Sequence, residues 1–503
     1  MIELELFQIY HLKEMSLSTE LFLSCSILQF TFYAISTAYQ RKAGFVILNQ
    51  QVYYIGSLLI ILSCFLLLNE DLLIMNSFSS NNFIINDYFG FITKLTICLI
   101  SLMFLTIINV SFRDEPIQNN FEYAILIIIS ILGLLLLCSS NDLITAYLAI
   151  ELQSVAFYIM STFKRNSSYS IESGLKYFII GALSSAFFLF GSSIVYGCMG
   201  SLSFDDLQMF FSLLSLLNLE FVSIGFILIC LSIFIKLAIA PFHFWSLDVY
   251  EGSPNTTTVF FSVVPKIGLF VLLMRLCYVS FYNIFDSYQP FFFLLSMGSV
   301  FVGALGGLEQ RKLKTLLAYS SIGHTGYLML SFSTGNVEGM QMMFYYLAIY
   351  MISGLCFWSV YLFLRQKRNF YFNKSNKELG DLVLLKESNP MLALILAITL
   401  FSIAGIPPIV GFLAKIGIFL TVIKSSAYLV AVFSIFFSVI STFYYIRLIK
   451  ILYFENSLVG KLYIPITTQK SLLISVLVLS LIILCIDPTI LYLVFYKATL
   501  LAN

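Results

Sequence analysis

The chain has 503 residues, 60% of them hydrophobic and 11% charged, with a net charge of +1 and a mean hydropathy of +0.95. A soluble protein carries about 25% charged residues, so an ordinary soluble, disordered or nucleic-acid-binding protein is excluded. What remains is a polytopic membrane protein, in which a charge inside an apolar segment is a functional clue.

Met1–Glu20 holds Glu3, Glu5, Glu14 and Glu20 against Lys13. A transit peptide is Arg-rich and acid-poor, and a signal peptide has a basic start, so the chain is expected to be inserted where it is made. Continuous apolar runs such as Ile125–Cys138 and Ser471–Cys485 suit helices of about 20 residues rather than alternating barrel strands. Hydropathy predicts about 14 spans. They fall near 18–38, 53–70, 89–110, 121–138, 142–161, 174–199, 219–240, 256–280, 290–308, 313–332, 338–363, 391–422, 427–448 and 471–495. Loops after odd-numbered spans carry Arg41, Lys42, Arg113, Lys164, Arg165, Arg311, Lys312, Lys314, Arg365, Lys377, Arg447 and Lys461. The opposite side is acidic, with Asp87, Asp142, Asp205, Glu220 and Glu338. By the positive-inside rule the basic side is cytoplasm or mitochondrial matrix, and both termini lie opposite. No loop is long enough for a soluble domain, and Arg365–Asn389 reads as a basic connector.

Lys94, Lys176, Lys236, Lys266, Arg275, Lys415 and Glu151 fall inside the predicted spans. A central charge costs about 2.5–3.5 kcal/mol to insert. Lys94 and Arg275 are placed to snorkel or pair near a boundary, and Lys176 lies near the basic end of its span. Glu151, Lys236, Lys266 and Lys415 lie deeper and point to a proton or ion path. Desolvation favours a neutral lysine and a nearby glutamate favours a charged one, so a lysine held between the two can take up and release a proton.

Helix breakers stand beside two of these lysines: Pro241 follows Lys236, and Pro407 and Pro408 precede Lys415. Proline breaks or kinks a helix, and the half-helix ends can face water or an ion. The seventh and twelfth helices are therefore expected to be broken. Their five-span offset predicts two inverted five-helix repeats, spans 4–8 and 9–13. The expected fold is an all-α polytopic membrane protein. Its predicted parts are residues 1–120 (helices 1–3), 121–285 (first repeat), 286–450 (second repeat) and 451–503 (helix 14 with flanks). His243 and His324 lie in or beside the path and are candidate relays with Lys176. Tyr345 and Tyr346 read as packing residues. The nine cysteines sit singly in apolar runs and three histidines are present, which argues against iron–sulfur, zinc and multi-haem sites. Neither a dinucleotide-binding glycine motif nor a phosphate-binding loop occurs.

Eight words carry a resemblance: NDLITAYLAIELQS (141–154), GLKYFIIGALSS (174–185), IKLAIAPFHFW (235–245), DVYEGSP (248–254), PKIGLF (265–270), KTLLAYSSIGHTGY (314–327), AGIPPIVGFLAKIGIF (404–419) and FYYIRLIK (443–450). On these, the chain resembles the mitochondrial chain-2, subunit-N-type, antiporter-like components of respiratory complex I, NADH:ubiquinone oxidoreductase. Leu247 stands where that family's loop carries proline, and Asn255 where threonine is common.

The resemblance implies that Glu151 interacts with Lys236 of the broken seventh helix, that Lys266 is the central connecting lysine, and that Lys415 is the terminal lysine of the broken twelfth helix. It implies proton translocation coupled to electron transfer in partner subunits. This chain would hold no cofactor; flavin and iron–sulfur clusters would reside in the partners, which include the other antiporter-like membrane-arm chains. The expected location is the mitochondrial inner membrane, with the termini on the intermembrane-space side. An Mrp-type cation/proton antiporter subunit and a non-pumping structural spacer are the alternatives.

Overall fold

The computed structural model describes residues 17–39, 48–69, 77–79, 83–111, 121–213, 219–369, 372–375, 378–383, 385–455, 463 and 465–501. Glu3, Glu5, Glu14, His11, Lys13, Arg41, Lys42, Arg113, Lys377 and Lys461 lie outside the described residues.

The elements run α1 (Ser18–Tyr39), α2 (Leu48–Leu68), α3 (Tyr88–Ser111), α4 (Phe121–Ser139), α5 (Leu143–Ser161), α6 (Ser168–Met199), α7 (Phe204–Leu213), α8 (Leu219–Leu237), α9 (Phe244–Gly252), α10 (Asn255–Val263) and α11 (Pro265–Met274). A π-helical turn, Arg275–Ser280, follows. Then come α12 (Tyr282–Gly306), α13 (Leu313–Phe332), α14 (Val337–Phe363), α15 (Leu385–Ser388), α16 (Pro390–Ala404), α17 (Val410–Lys424), α18 (Tyr428–Tyr453), α19 (Thr468–Ile486) and α20 (Thr489–Leu500). Among the described residues two antiparallel strand pairs interrupt the helices: β1 (Ser77–Ser79) with β2 (Ile84–Asn86), and β3 (Arg365–Asn369) with β4 (Phe372–Ser375). The second folds the first part of the basic connector, pairing Arg365 with Ser375 and bulging between Lys367 and Asn369.

Among the described residues, 10 helices are long and apolar enough to cross a membrane, which corrects the expected count of about 14. The difference falls on four predicted spans. The segment near 391–422 is two 15-residue helices, α16 and α17, divided at Gly405–Ile409. Residues 313–332 form α13, whose apolar character is diluted by Lys314, His324 and several Ser, Thr and Gly residues. In α1, Glu20, Gln29 and repeated Ser and Thr do the same. The described apolar part of α2, Val52–Leu68, is short. The two inverted five-helix repeats were counted on 14 spans, so the observed set of 10 does not sustain that part of the expected fold.

The chain divides into two compact units. Unit 1 is Met1–Leu237, Val264–Ser287 and Lys497–Asn503; unit 2 is Ala238–Val263 and Tyr288–Tyr496. In unit 1, α5 lies close against α4: a Cβ on Gly133 would stand 3.0 Å from the Gln153 amide nitrogen. Likewise α6 meets α8 where a Cβ on Gly191 would stand 2.7 Å from the Gly225 carbonyl oxygen. Arg275, expected to snorkel or pair, is buried and paired. It donates to Asp87 Oδ1 at 2.7 Å and to the Cys138 carbonyl at 2.9 Å, tying the π-helical turn to the start of α3 and the end of α4. In unit 2, α14 is buried along most of its length and packs against α13, α16, α17 and α19. Lys312 pairs with Glu251, and Lys314 donates to the Ser253 carbonyl at 2.7 Å.

Candidate functional site

In unit 1 the site begins with α5. Asp142 caps it, accepting from the Ile144 amide at 3.1 Å, the usual way an exposed helix-start donor is satisfied. Glu151 lies near the middle of this helix, and its Oε1 is 3.9 Å from Lys236 Nζ. At that distance the pair is ionic rather than hydrogen-bonded. Ser154 Oγ donates to the other carboxylate oxygen at 3.3 Å. The side chains are 27% and 12% exposed, so neither charge is fully solvated. At an effective dielectric of about 20, two charges at this separation attract by about 4 kcal/mol.

Lys236 occupies the last turn of α8. The helix stops at Leu237, before Pro241, and Ala238 takes a left-handed conformation with φ 56°. Lysine near a helix C-terminus also complements the helix dipole. Lys266, the second residue of α11, is buried. Lys176 behaves differently. It is 43% exposed and pairs with Glu172 one turn away at 2.8 Å. The structure therefore brings Glu151 and Lys236 together and leaves Lys176 on the surface of α6.

In unit 2 the second break lies between α16 and α17. Gly405 closes α16 with φ 76°, and the amides of Gly405 and Ile406 both donate to the Phe401 carbonyl, at 3.0 and 3.1 Å. This is a glycine C-cap, and Pro407 and Pro408 follow it. Lys415, on the second turn of α17, reaches back and donates to the Ala404 carbonyl at 2.6 Å. It thus satisfies one carbonyl that the end of α16 leaves free. Its ammonium lies 5.2 Å from the Tyr327 ring centroid, within cation–π range.

His324 on α13 is buried between two tyrosines: Nδ1 is 2.6 Å from Tyr346 Oη and Nε2 is 3.2 Å from Tyr445 Oη. His324, Tyr327, Lys415, Tyr444 and Tyr445 line one small cavity of about 10 Å³, at the lower limit for a single water. His324 and Lys415 are therefore assembled. His243 caps α9, its carbonyl accepting from Ser246; it is buried and its Nδ1 makes no hydrogen bond. The tyrosine pair was missed in the sequence, where Tyr346 read as packing. The available signal was a repeated Phe-Tyr-Tyr word, at 344–346 and 443–445.

Among the described residues, no group of three or more His, Cys, Asp and Glu could hold a metal ion. The chemistry this arrangement offers is the movement of charge and protons between buried side chains.

Residues 140–441 match the family described as NADH:quinone oxidoreductase/Mrp antiporter, transmembrane. The chain is 37% identical to NADH-ubiquinone oxidoreductase chain 2 of Marchantia polymorpha, over 97% of this chain and 98% of that one. It is 38% identical to NADH-quinone oxidoreductase subunit N of Pelagibacter ubique, over 87% and 89%. Among solved structures, a chain of respiratory complex I from Thermus thermophilus superposes with a TM-score of 0.76 at 26% identity, covering 94% of this chain and 98% of that one.

Proposed function

The chain belongs to the chain-2/subunit-N family of antiporter-like membrane-arm subunits of NADH:quinone oxidoreductase, and from that premise we propose that it translocates protons, driven by NADH:ubiquinone electron transfer in partner subunits. The observation that carries this reading is the Glu151–Lys236 pair, two part-buried opposite charges 3.9 Å apart where α8 ends.

Closing the pair favours a charged lysine. Opening it, or neutralising Glu151, removes about 4 kcal/mol of attraction and favours release of the proton. Moving one charge against 100 mV costs about 2.3 kcal/mol, so a change of this size in the local field is large enough to drive the step. Lys266 and Lys415 are the further proton carriers, His324 and His243 are relays, and protons travel from the basic-loop side to the acidic side. Flavin, iron–sulfur clusters and ubiquinone act in partner subunits, which include other antiporter-like chains of the membrane arm. Likeness to NADH-ubiquinone oxidoreductase chain 2 supports the mitochondrial inner membrane, with the basic loops in the matrix.

Replacing Glu151 by Gln in the assembled complex tests the reading. Coupled quinone reduction and proton pumping should fall together, and Asp at the same position should restore part of both. Full pumping with Gln at normal assembly contradicts the reading. Sodium-dependent exchange without quinone reductase activity would favour the Mrp-type antiporter.

A further inference from the structure

The N-terminal helices hold an ion pair that the proposed path does not use. Lys94, on the second turn of α3, and Glu20, on the first turn of α1, are 1% and 4% exposed, with Nζ and Oε1 2.6 Å apart. Lys94 also donates to Asn86 Oδ1 at 3.1 Å, and Thr19 Oγ1 donates to Glu20 Oε2 at 2.7 Å. Burying two charges away from water is expensive, and well-packed apolar side chains would join two helices as well or better. A purely structural role therefore leaves the charges unexplained.

The surroundings are graded. Lys94, Cys98 and Ser101 recur at helical spacing on one face of α3, all buried. The Ser63 hydroxyl of α2 lies 3.8 Å from the Cys98 thiol, so polar groups extend from the pair into the bundle. On the other side, Asn86 and Asp87 precede α3. Among the described residues, the ionisable groups around the pair include the thiols of Cys64, Cys98 and Cys138 and the Asp87–Arg275 ion pair.

We infer that Glu20 and Lys94 form a second proton-exchange site of this chain, in the N-terminal helices and separate in sequence and contacts from Glu151–Lys236. The inference rests on the reading that the chain moves protons. The Lys94 ammonium gives its proton to the Glu20 carboxylate across the 2.6 Å contact, leaving a neutral amine and a neutral acid, a change that dry surroundings favour. Glu20 then releases the proton toward the end where α1 and α3 begin. Lys94 takes up another from the Cys98 side, and the ion pair is restored with one proton moved.

Dicyclohexylcarbodiimide, which attaches to protonated carboxyls in apolar surroundings, tests this on the assembled complex in native membranes during NADH oxidation. We expect an adduct on Glu20, identified by mass spectrometry and increasing as the pH is lowered. Lys94→Met leaves Glu20 without its cation and checks that the reagent reaches it. An adduct in Lys94→Met alone, or in neither protein, overturns the inference and makes the pair a permanent helix lock. The double variant Glu20→Leu with Lys94→Met, in which apolar side chains join the helices, gives an independent readout. Fewer protons moved per NADH supports the site, and an unchanged ratio overturns it. Labelling reports protonation of Glu20 whether or not Glu151→Gln stays coupled, so failure here and failure of the Glu151–Lys236 reading are separate results.

Discussion

Replacing Lys415 by Met separates a proton carrier from a helix cap. The ammonium donates to the Ala404 carbonyl at 2.6 Å and lies 5.2 Å from the Tyr327 ring centroid. A hydrogen bond to a charged group contributes about 1.5–3 kcal/mol, and a cation–π contact about 0.5–2 kcal/mol. Together they offset the roughly 2.5–3.5 kcal/mol that a central lysine costs in a membrane. Methionine fills similar space, removes the charge and both contacts, and removes that cost as well, so the net change in stability is expected to be within about 1 kcal/mol. The variant should assemble at the normal level on a native gel. Coupled proton pumping in membrane vesicles should fall at least tenfold, because the only ionisable group on α17 facing the His324 cavity has gone. Normal assembly with full pumping refutes the reasoning, and so does failure to assemble, which would make Lys415 a structural cap.

Gly405→Ala should displace the same lysine without removing it: φ is 76° and the new Cβ would stand 2.6 Å from Lys415 Cδ. The left-handed conformation costs about 1–2 kcal/mol for an L-residue, and pumping should fall several-fold with the charge still present. Tyr346→Phe strips the partner from His324 Nδ1; we expect about 1–3 kcal/mol of destabilisation, read as a lower thermal inactivation temperature, together with reduced pumping. Gly191→Val forces apart α6 and α8, where even a Cβ would stand 2.7 Å from the Gly225 carbonyl oxygen. Overpacking of this kind costs about 1–3 kcal/mol, and less subunit should be recovered in the complex. Lys176→Ala breaks an exposed pair of the kind worth about 0–1 kcal/mol, and should change coupled activity far less than loss of Glu151. An effect as large as that of Glu151→Gln would return Lys176 to the path.

Much of the site was legible because rare residues stand out in an apolar chain. Glu151 and Lys236 were visible as charges within spans, and Pro241, Pro407 and Pro408 marked the two breaks. Both helices stop ahead of these prolines, at Leu237 and Ala404, as the loss of a backbone donor requires. Partners far apart in sequence were not legible. Tyr445 meets His324 across 121 residues, and Glu20 meets Lys94 although Glu20 reads as part of an acidic terminus. Lys176, a candidate relay by its position in a span, lies on an exposed face of α6 and pairs with Glu172 one turn away. The span count erred where polar residues and a break interrupt hydropathy, in α1, α13 and the α16–α17 segment.

The most direct test of the central claim is the number of protons moved per NADH oxidised by the complex carrying Lys236→Ala, reconstituted in sealed vesicles with assembly verified. Among the described residues Lys236 is the cation paired with Glu151, so coupled quinone reduction and proton movement should both fall sharply while the subunit remains in place. Quinone reduction at the wild-type rate with the wild-type proton ratio would contradict the account.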